Sequence, residues 1–385
     1  MTTTQAQEWD VVVVGASFAG AACALAAAHY GLRVCVMERK RDPGIKLHTT
    51  GIIVKEAAEQ TWLNRVPAAL VRRVERVRLY APNLRSLSLA APGYYFLTTD
   101  TPKVMRWLAD ELRAHDVDLR LQQPFTNATR EGDGWQVEGL GRARFLVGAD
   151  GAKSRVAERT GLGRVDDFLY GIEYEFADLL LPEPDALHCF ISKHYAPGYI
   201  GWVAQSPTGV QVGLALRHRN AGTRSPDIDG FLRRIRGHVG LPVDATPTTT
   251  RAGLVPCGGP VSPIAAPGVM LTGDAAGIVS PVTAGGIHSA WQHGWRVGDA
   301  IAQHVRGDGT PPEQLATQAA PRFRVKRALR WAYDHAQVDW PFDLLLYTPP
   351  LRWAAEQVYF HKRGTSHASD RLQRASNPLD RMPGR

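Results

Sequence analysis

Two glycines and an acid near the amino terminus have the spacing of a dinucleotide-binding site. Gly15 and Gly20 bracket the turn Gly-Ala-Ser-Phe-Ala-Gly, and Glu38 follows about twenty residues further on. Such glycines permit a sharp turn, the helix start attracts a pyrophosphate, and the acid binds a ribose 2′-OH while disfavouring a 2′-phosphate. The acid at Glu38 therefore favours FAD or NAD over NADP. Ser17 replaces the usual middle glycine and is small enough for phosphates to approach. The predicted cofactor contacts are Gly15, Ala16, Ser17, Phe18, Ala19, Gly20 and Glu38.

A second acid and a pair of glycines stand near residue 280. Asp274 follows Gly273 after an apolar segment, and Gly285-Gly286 precede a helix predicted over Ile287–Val305. The free N-terminus of that helix would stabilise an anionic reduced flavin ring. The alternative is a glycine-assisted turn in which Asp274 acts as a cap.

Two further polar segments are candidates for the same site. An apolar strand runs into Asp150-Gly151, and Ser154 stands at a helix start, a pattern that also fits an ordinary turn and capped helix. His48 lies in a Thr- and Gly-containing segment that follows Glu38. This segment either runs beside a cofactor or is an ordinary connecting loop.

The elements that must position these residues alternate between two architectures. Val11–Val14 predicts a buried parallel strand, and the Ala-rich segment Ala19–Tyr30 predicts a helix. Short alternating segments separated by Pro and Gly, between Val74 and Leu97 and again from Tyr170 to Val255, predict antiparallel strands of a second domain. Further predictions are helices at Lys103–His115, with Thr101 as N-cap, and Asp227–Val239, and strands at Leu32–Met37, Leu119–Gln122, Asn127–Arg130, Trp135–Glu138 and Arg144–Val147.

Composition bounds what the chain can do. Its 385 residues carry a net charge of +8 and four cysteines, none in a C-x-x-C pair. Cysteine usage fits a reducing cytoplasm, the N-terminus lacks signal-peptide features, and no apolar run reaches the ~20 residues that span a bilayer. We predict no nucleic-acid partner, because no such motif is present, and no metal site, because His188, Cys189 and His194 lack a ligand framework.

The C-terminal region combines basic and aromatic residues. The basic residues either form an anion- or membrane-facing patch or are spread over solvated faces; the densest cluster is Arg322, Arg324, Lys326, Arg327 and Arg330. The aromatic part, with Leu344-Leu345-Leu346 between two prolines, is a lid over an apolar pocket, a membrane-surface contact, or packing on the core. The last fifteen or so residues are predicted to be disordered.

Three blocks together resemble the FAD-dependent oxidoreductases built like p-hydroxybenzoate hydroxylase. The blocks are the N-terminal turn with Glu38-Arg39, the strand ending in Asp150-Gly151, and Gly273-Asp274. The resemblance implies that Glu38 binds the adenosine ribose, that Asp150-Gly151 supports the FAD site, and that Asp274 contacts the ribityl chain or the pyrophosphate. Lys103 falls where the family usually carries a cofactor-binding Arg.

Within this superfamily the chain is most similar to the geranylgeranyl reductase group. Pro197-Gly198-Tyr199-Ile200-Gly201-Trp202 resembles its substrate-domain motif, and Gly273–Gly277 with Pro281, Gly285, Gly286 and Ile287 resembles its flavin-side motif. The substrate motif departs at Val203-Ala204, which usually reads Phe-Pro, and His48 stands where many members have Cys. In that group the aromatic pair lies beside the flavin and a prenyl chain.

The resemblance implies an α/β fold in which a Rossmann-like FAD-binding domain is joined by a discontinuous second domain, built on an antiparallel sheet, and by C-terminal helices. The predicted FAD-binding domain consists of residues 1–73, 99–165 and 256–310. The predicted substrate domain consists of residues 74–98 and 166–255. Residues 311–385 form the C-terminal helical region with its tail.

The implied activity is an FAD-dependent reduction of C=C bonds in a small apolar, isoprenoid-like substrate, with NAD(P)H as a transient electron donor. Tyr199 and Trp202 would line the pocket, and His48 would donate a proton to the developing carbanion. The alternatives are a monooxygenase or epoxidase on the same fold, a non-redox cyclase or isomerase, and a non-catalytic FAD-binding partner protein. The predicted location is the cytoplasm, with membrane association left open, and the oligomeric state is not predicted.

Overall fold

A computed structural model of the chain describes residues 8–218 and 225–360. The chain divides into two compact units. The first consists of the described residues within 1–47, 101–168 and 254–330, and the second of those within 48–100, 169–253 and 331–385. The functions assigned above to the six sequence segments remain predictions. The predicted disordered tail lies outside the described residues.

The strands of the described residues are short and belong to three sheets. In chain order they are β1 (Glu8–Val14), β2 (Val34–Met37), β3 (Ile53–Val54), β4 (Val71–Val74), β5 (Arg76–Tyr80), β6 (Ser86–Ala90), β7 (Phe96–Thr99), β8 (Asp118–Arg120), β9 (Ala128–Glu131), β10 (Gly134–Val137), β11 (Gly141–Gly148), β12 (Phe168–Ala177), β13 (Ala186–Ile191), β14 (Ile200–Ser206), β15 (Gly209–His218), β16 (Thr249–Pro256), β17 (Ala265–Ala266) and β18 (Val269–Leu271).

The helices range from one turn to five. In chain order they are α1 (Phe18–His29), α2 (Lys55–Gln60), α3 (Thr101–Ala114), α4 (Arg155–Thr160), α5 (Ile228–Val239), α6 (Ile287–Val305), α7 (Pro312–Ala319), α8 (Arg324–Ala336), α9 (Trp340–Leu345) and α10 (Pro349–Phe360), with 3₁₀ turns at Trp62–Arg65, Ala68–Leu70 and Gly273–Ala276.

The first unit is built on a sheet in the order β17-β18-β11-β1-β2-β8, with the β9–β10 hairpin attached to β11. β1 is parallel to both β11 and β2, and Val11, Val12 and Val13 are fully buried, as their uninterrupted apolar run predicts. α1 crosses α6 at backbone distance. A Cβ at Gly294 would lie 2.2 Å from the Ala19 carbonyl oxygen, so this crossing excludes a side chain there.

The second unit contains a seven-stranded sheet in the order β16-β12-β15-β14-β13-β5-β6 and a three-stranded sheet in the order β3-β7-β4. Phe168 at the start of β12 and residues 254–256 at the end of β16 are counted in the first unit. Most described pairings are antiparallel, as predicted, but β5 pairs with β13 in parallel. The parallel pair was not predicted, because β5 and β13 are separated by a long excursion of the chain through the other unit.

Several local predictions can be compared directly with the structure. The helix predicted at Ile287–Val305 is confirmed, and Asp227 caps α5 with a bond from the Gly230 N–H. The prediction of Thr101 as an N-cap is wrong, since α3 begins at Thr101 itself. All four cysteines are buried and unpaired.

Candidate cofactor site and a second buried acid

The sequence motifs of the first unit follow four neighbouring parallel strands. β18, β11, β1 and β2 lie side by side, and their last residues stand in one register row. This row consists of Leu271, Gly148, Val14 and Met37. Asp274, Asp150, Gly15 and Glu38 come within three residues of its members, at the carboxyl edge of the sheet where α/β proteins bind ligands.

The turn between β1 and α1 requires glycine at both ends. Gly15 has a φ of +104°, and a Cβ there would lie 2.4 Å from the Ala149 carbonyl oxygen. A Cβ at Gly20 would lie 2.0 Å from the Gly15 carbonyl oxygen. The two glycines are therefore fixed by the approach of α1 and β11 to the same turn.

Ser17 is the N-cap of α1, a role that its sequence position alone did not reveal. Its hydroxyl oxygen accepts a bond from the Gly20 N–H at 3.2 Å and donates to the Ala149 carbonyl at 3.1 Å. The helix consequently begins at Phe18, one residue before the predicted start. The remaining N–H groups of this first turn lack intrahelical partners, and no acid lies among them, so the turn is suited to an anion.

Glu38 joins the turn after β1 to the segment after β2. Its Oε2 accepts a bond from the Ala16 N–H at 3.0 Å, and its Oε1 accepts one from the Lys40 N–H at 2.9 Å. The side chain is buried. Because each carboxylate oxygen has a further lone pair, Glu38 can hold the turn and still accept a ribose hydroxyl. Arg39 and Lys103 belong to the same unit and are exposed.

Asp150 holds the start of α4. Its Oδ1 accepts a bond from the Ser154 hydroxyl at 2.6 Å, and its Oδ2 accepts from the N–H groups of Arg155 and Val156 at 2.7 and 3.2 Å. Burial raises the pKa of Asp150, and these bonds oppose the rise. The structure therefore contains the capped-helix alternative, in which Asp150 joins the end of β11 to the start of α4. Gly151 follows with a φ of +89°.

Asp274 differs from the other acids of this edge. It lies in the Gly273–Ala276 turn, and burial raises the pKa of its carboxyl group to about 6. Within residues 8–218 and 225–360 that carboxylate has neither a hydrogen-bond nor an ion-pair partner, and the prediction that it acts as a cap is wrong. The side chain is partly exposed, so its oxygens are open to a ligand. The geometry therefore fits a carboxylate that accepts a hydroxyl group of a bound cofactor.

The last candidate cofactor residues stand at the start of α6. Gly286 is its N-cap, no side chain caps the helix, and its first turn contains no acid. A Cβ at Gly285 would approach only the Thr283 hydroxyl, at 3.4 Å, so the backbone before Ile287 is open. The long helix leaves unpaired N–H groups at this end, which would favour negative charge on a ligand.

The three predicted catalytic residues lie in the second unit. Nδ1 of the exposed His48 is 2.8 Å from the Ala252 carbonyl oxygen, so Nδ1 must carry a proton and Nε2 is the atom available for proton exchange. Tyr199 is half-buried directly before β14. Trp202 on β14 lies over Gly213, where a Cβ would be 2.1 Å from the indole ring. The described contacts do not join His48 directly to Tyr199 or Trp202.

A buried acid, Glu173 on β12, was not predicted and connects part of this set. Its Oε2 accepts bonds from the Thr50 hydroxyl at 2.7 Å and from the Trp202 indole N–H at 3.0 Å. Its Oε1 lies 3.6 Å from Nη1 of Arg251, whose Nη2 binds Glu175. Glu173 is 4% exposed, and burial raises its pKa. The Glu-x-Glu spacing in a predicted strand, which puts both acids on one face, was the available signal.

The comparisons with known proteins identify the family of the chain. The FAD binding domain family matches residues 8–332. A digeranylgeranylglycerophospholipid reductase of Methanothrix thermoacetophila is 30% identical over 331 residues, which cover 80% of this chain and 81% of that protein. The chain belongs to the FAD-dependent geranylgeranyl reductase family. It is an FAD-dependent oxidoreductase, and the FAD and flavoprotein predictions are confirmed.

Two further similarities support this membership. Digeranylgeranylglycerophospholipid reductase 2 of Methanopyrus kandleri is 29% identical over 321 residues, covering 79% of each chain. A geranylgeranyl bacteriochlorophyll reductase-like protein of Thermoplasma acidophilum has the same fold, with a TM-score of 0.77 at 20% identity over 92% of this chain and 97% of that one.

Among the described residues no group of three His, Cys, Asp or Glu side chains is arranged to hold a metal.

Proposed function

We propose that this flavoprotein reduces C=C bonds of a small apolar, isoprenoid-like substrate by hydride transfer from reduced FAD. The observation that carries the proposal is Asp274, a partly buried acid without a described partner, in a chain whose relatives are named as digeranylgeranylglycerophospholipid reductases. Bound FAD supplies the hydride chemistry, and NAD(P)H is the proposed transient donor.

The residues of the first unit bind and orient the cofactor in this proposal. The turn Gly15–Gly20 and the start of α1 hold the pyrophosphate, and Glu38 accepts a ribose hydroxyl. Asp274 accepts a hydroxyl of the ribityl chain, which supplies the hydrogen bond that its partly buried carboxylate lacks. The start of α6 stabilises negative charge, and Arg39 and Lys103 remain candidate phosphate contacts.

The residues of the second unit act on the substrate in this proposal. His48, held through Nδ1 by the Ala252 carbonyl, transfers a proton from Nε2 to the substrate carbon. Tyr199 and Trp202 offer aromatic faces to an apolar chain. The bond from the Trp202 indole to Glu173 fixes the ring, so the pocket lining is oriented before substrate arrives.

Anaerobic turnover tests the proposal. The holoenzyme, reduced with one equivalent of dithionite and mixed with geranylgeranyl lipid without O2, should form one reduced C=C bond for each flavin that is oxidised. A requirement for O2, with an oxygenated product, would identify a monooxygenase instead. A rearranged product formed without flavin oxidation would identify an isomerase. His48→Gln should keep full FAD occupancy while losing roughly a hundredfold or more in rate, the usual contribution of a general acid.

A further inference from the structure

The short helix α9 packs Phe342 on the core of the second unit and holds two large apolar side chains outward. Asp343 accepts a bond from the Asn83 N–H at 2.8 Å, and Asp339, which precedes the helix, accepts one from the Lys193 N–H at 3.0 Å. On the other side, Trp340 is 61% and Leu344 69% exposed. These two side chains are one helical turn apart and so share a face.

Trp340 and Leu344 belong to a longer stretch of sequence in which many large apolar side chains are exposed. Of the eleven large hydrophobic side chains that are exposed in the described residues, nine lie between Val325 and Trp353, so the exposure is concentrated rather than scattered. We define the aromatic surface as the exposed members of this group in the second unit that carry Trp, Tyr or Leu. They are Trp331, Trp340, Leu344, Leu345, Tyr347 and Trp353. Exposed apolar clusters of this kind mark interaction sites.

The charge of the adjoining sequence indicates the kind of partner. Residues 361–385, which follow α10, contain six Lys or Arg and two Asp, a net charge of +4, and only Leu372, Leu379 and Met382 as large apolar residues. This segment is therefore a poor cover for the aromatic surface. A second copy would bring the same positive charge, since the whole chain carries +8. An anionic lipid surface offers both opposite charge and an apolar layer.

We propose that the aromatic surface docks on an anionic lipid bilayer, with its Trp and Leu side chains in the interfacial layer and basic residues at the headgroups. Trp and Tyr favour this depth because their rings are amphipathic. The mode is peripheral, because among the described residues no helix has the length and apolar content to cross a bilayer. The inference goes beyond the proposed reaction and does not depend on it.

Vesicle flotation of the full-length holoprotein tests the proposal. Wild type should float with phosphatidylglycerol-containing vesicles and much less with pure phosphatidylcholine vesicles. The double substitution Trp340→Ser with Leu344→Ser should lower the bound fraction by roughly tenfold or more. Leu180→Ser is the matched control, because Leu180 is also 69% exposed but lies between β12 and β13, outside the aromatic surface. It should bind like wild type.

The same variants give outcomes that would overturn the proposal. Equal flotation of the double variant and wild type would do so, as would wild type that fails to bind either vesicle. A concentration-dependent dimer in sedimentation, lost in the double variant while no vesicle binds, would assign the surface to a second copy. The flavin absorbance of each variant verifies folding, and turnover of a detergent-dispersed substrate keeps this result separate from the proposed reaction.

Discussion

Asp274 in the first unit and Glu173 in the second are both acids with a raised pKa, but Asp274 is partly exposed, Glu173 is buried, and their surroundings differ. Burial raises the pKa of each. Glu173 accepts bonds from Thr50 and Trp202 and pairs with Arg251, whereas the Asp274 carboxylate has no partner among the residues that the structure describes. Oε1 of Glu173 has only the ion pair with Arg251 and no hydrogen bond, so the contrast lies at Oε2, which the protein itself bonds. We infer two uses of burial: an acid held by its own scaffold fixes that scaffold, and an acid that no described donor reaches can accept a group from a ligand.

The positions of the two acids in their sheets explain this difference. Glu173 lies inside β12, where the protein itself supplies donors from Arg251 on the neighbouring β16, from Trp202 on β14 and from Thr50. Asp274 lies beyond the end of β18, where the backbone turns away and strand neighbours are absent. Interior strand positions therefore build scaffold, and carboxyl-end positions of parallel strands leave groups for ligands.

The largest expected effect is on stability, from Glu173→Leu. The Thr50 hydroxyl and the Trp202 indole N–H would lose their acceptor, and Arg251 would keep Glu175 and the Thr49 carbonyl but lose its pairing with Glu173. We expect the unfolding free energy of the apo-protein to fall by about 3 kcal/mol, as for other broken buried polar networks. Urea unfolding followed by circular dichroism measures it. Glu173→Gln, which keeps an acceptor oxygen, is the matched control and should lose less. A loss under about 1 kcal/mol for the Leu variant would contradict the scaffold role.

Asp274→Ala should have the opposite profile. Loss of a hydrogen bond to a charged group, worth about 1.5–3 kcal/mol, should weaken FAD binding roughly tenfold to a hundredfold. The apo-protein should unfold at the same or higher urea concentration, because a partly buried charge without a partner has been removed. Equilibrium dialysis against FAD and urea unfolding of the apo-protein measure the two effects. Unchanged FAD affinity would remove Asp274 from the cofactor site.

Local patterns predicted the first unit better than the second for a physical reason. The turn from Gly15 to Glu38 is set by residues close in sequence, and the helix Ile287–Val305 by its own periodicity. The Glu173 network was missed because its partners Thr50, Trp202 and Arg251 come from segments far apart in the chain. The cap role of Ser17 was missed although its bond from the Gly20 N–H is local, because Ser17 was interpreted as a replacement for the usual middle glycine; only its bond to Ala149 depends on the sheet.

The smallest expected effect is the pH dependence that Asp274 gives to the apo-protein. Its pKa is about 6 when folded, against an ordinary value of 3.8, so the folded state binds more protons between these values. Stability must then fall as pH rises through this window, and the stabilisation is fully present only below it. We expect wild type to lose roughly 1–3 kcal/mol relative to Asp274→Asn between about pH 4 and pH 6. Glu173 titrates equally in both proteins, so the difference isolates Asp274. Parallel curves for the two proteins would mean that Asp274 is solvated, and the contrast with Glu173 would then rest on hydrogen bonding alone.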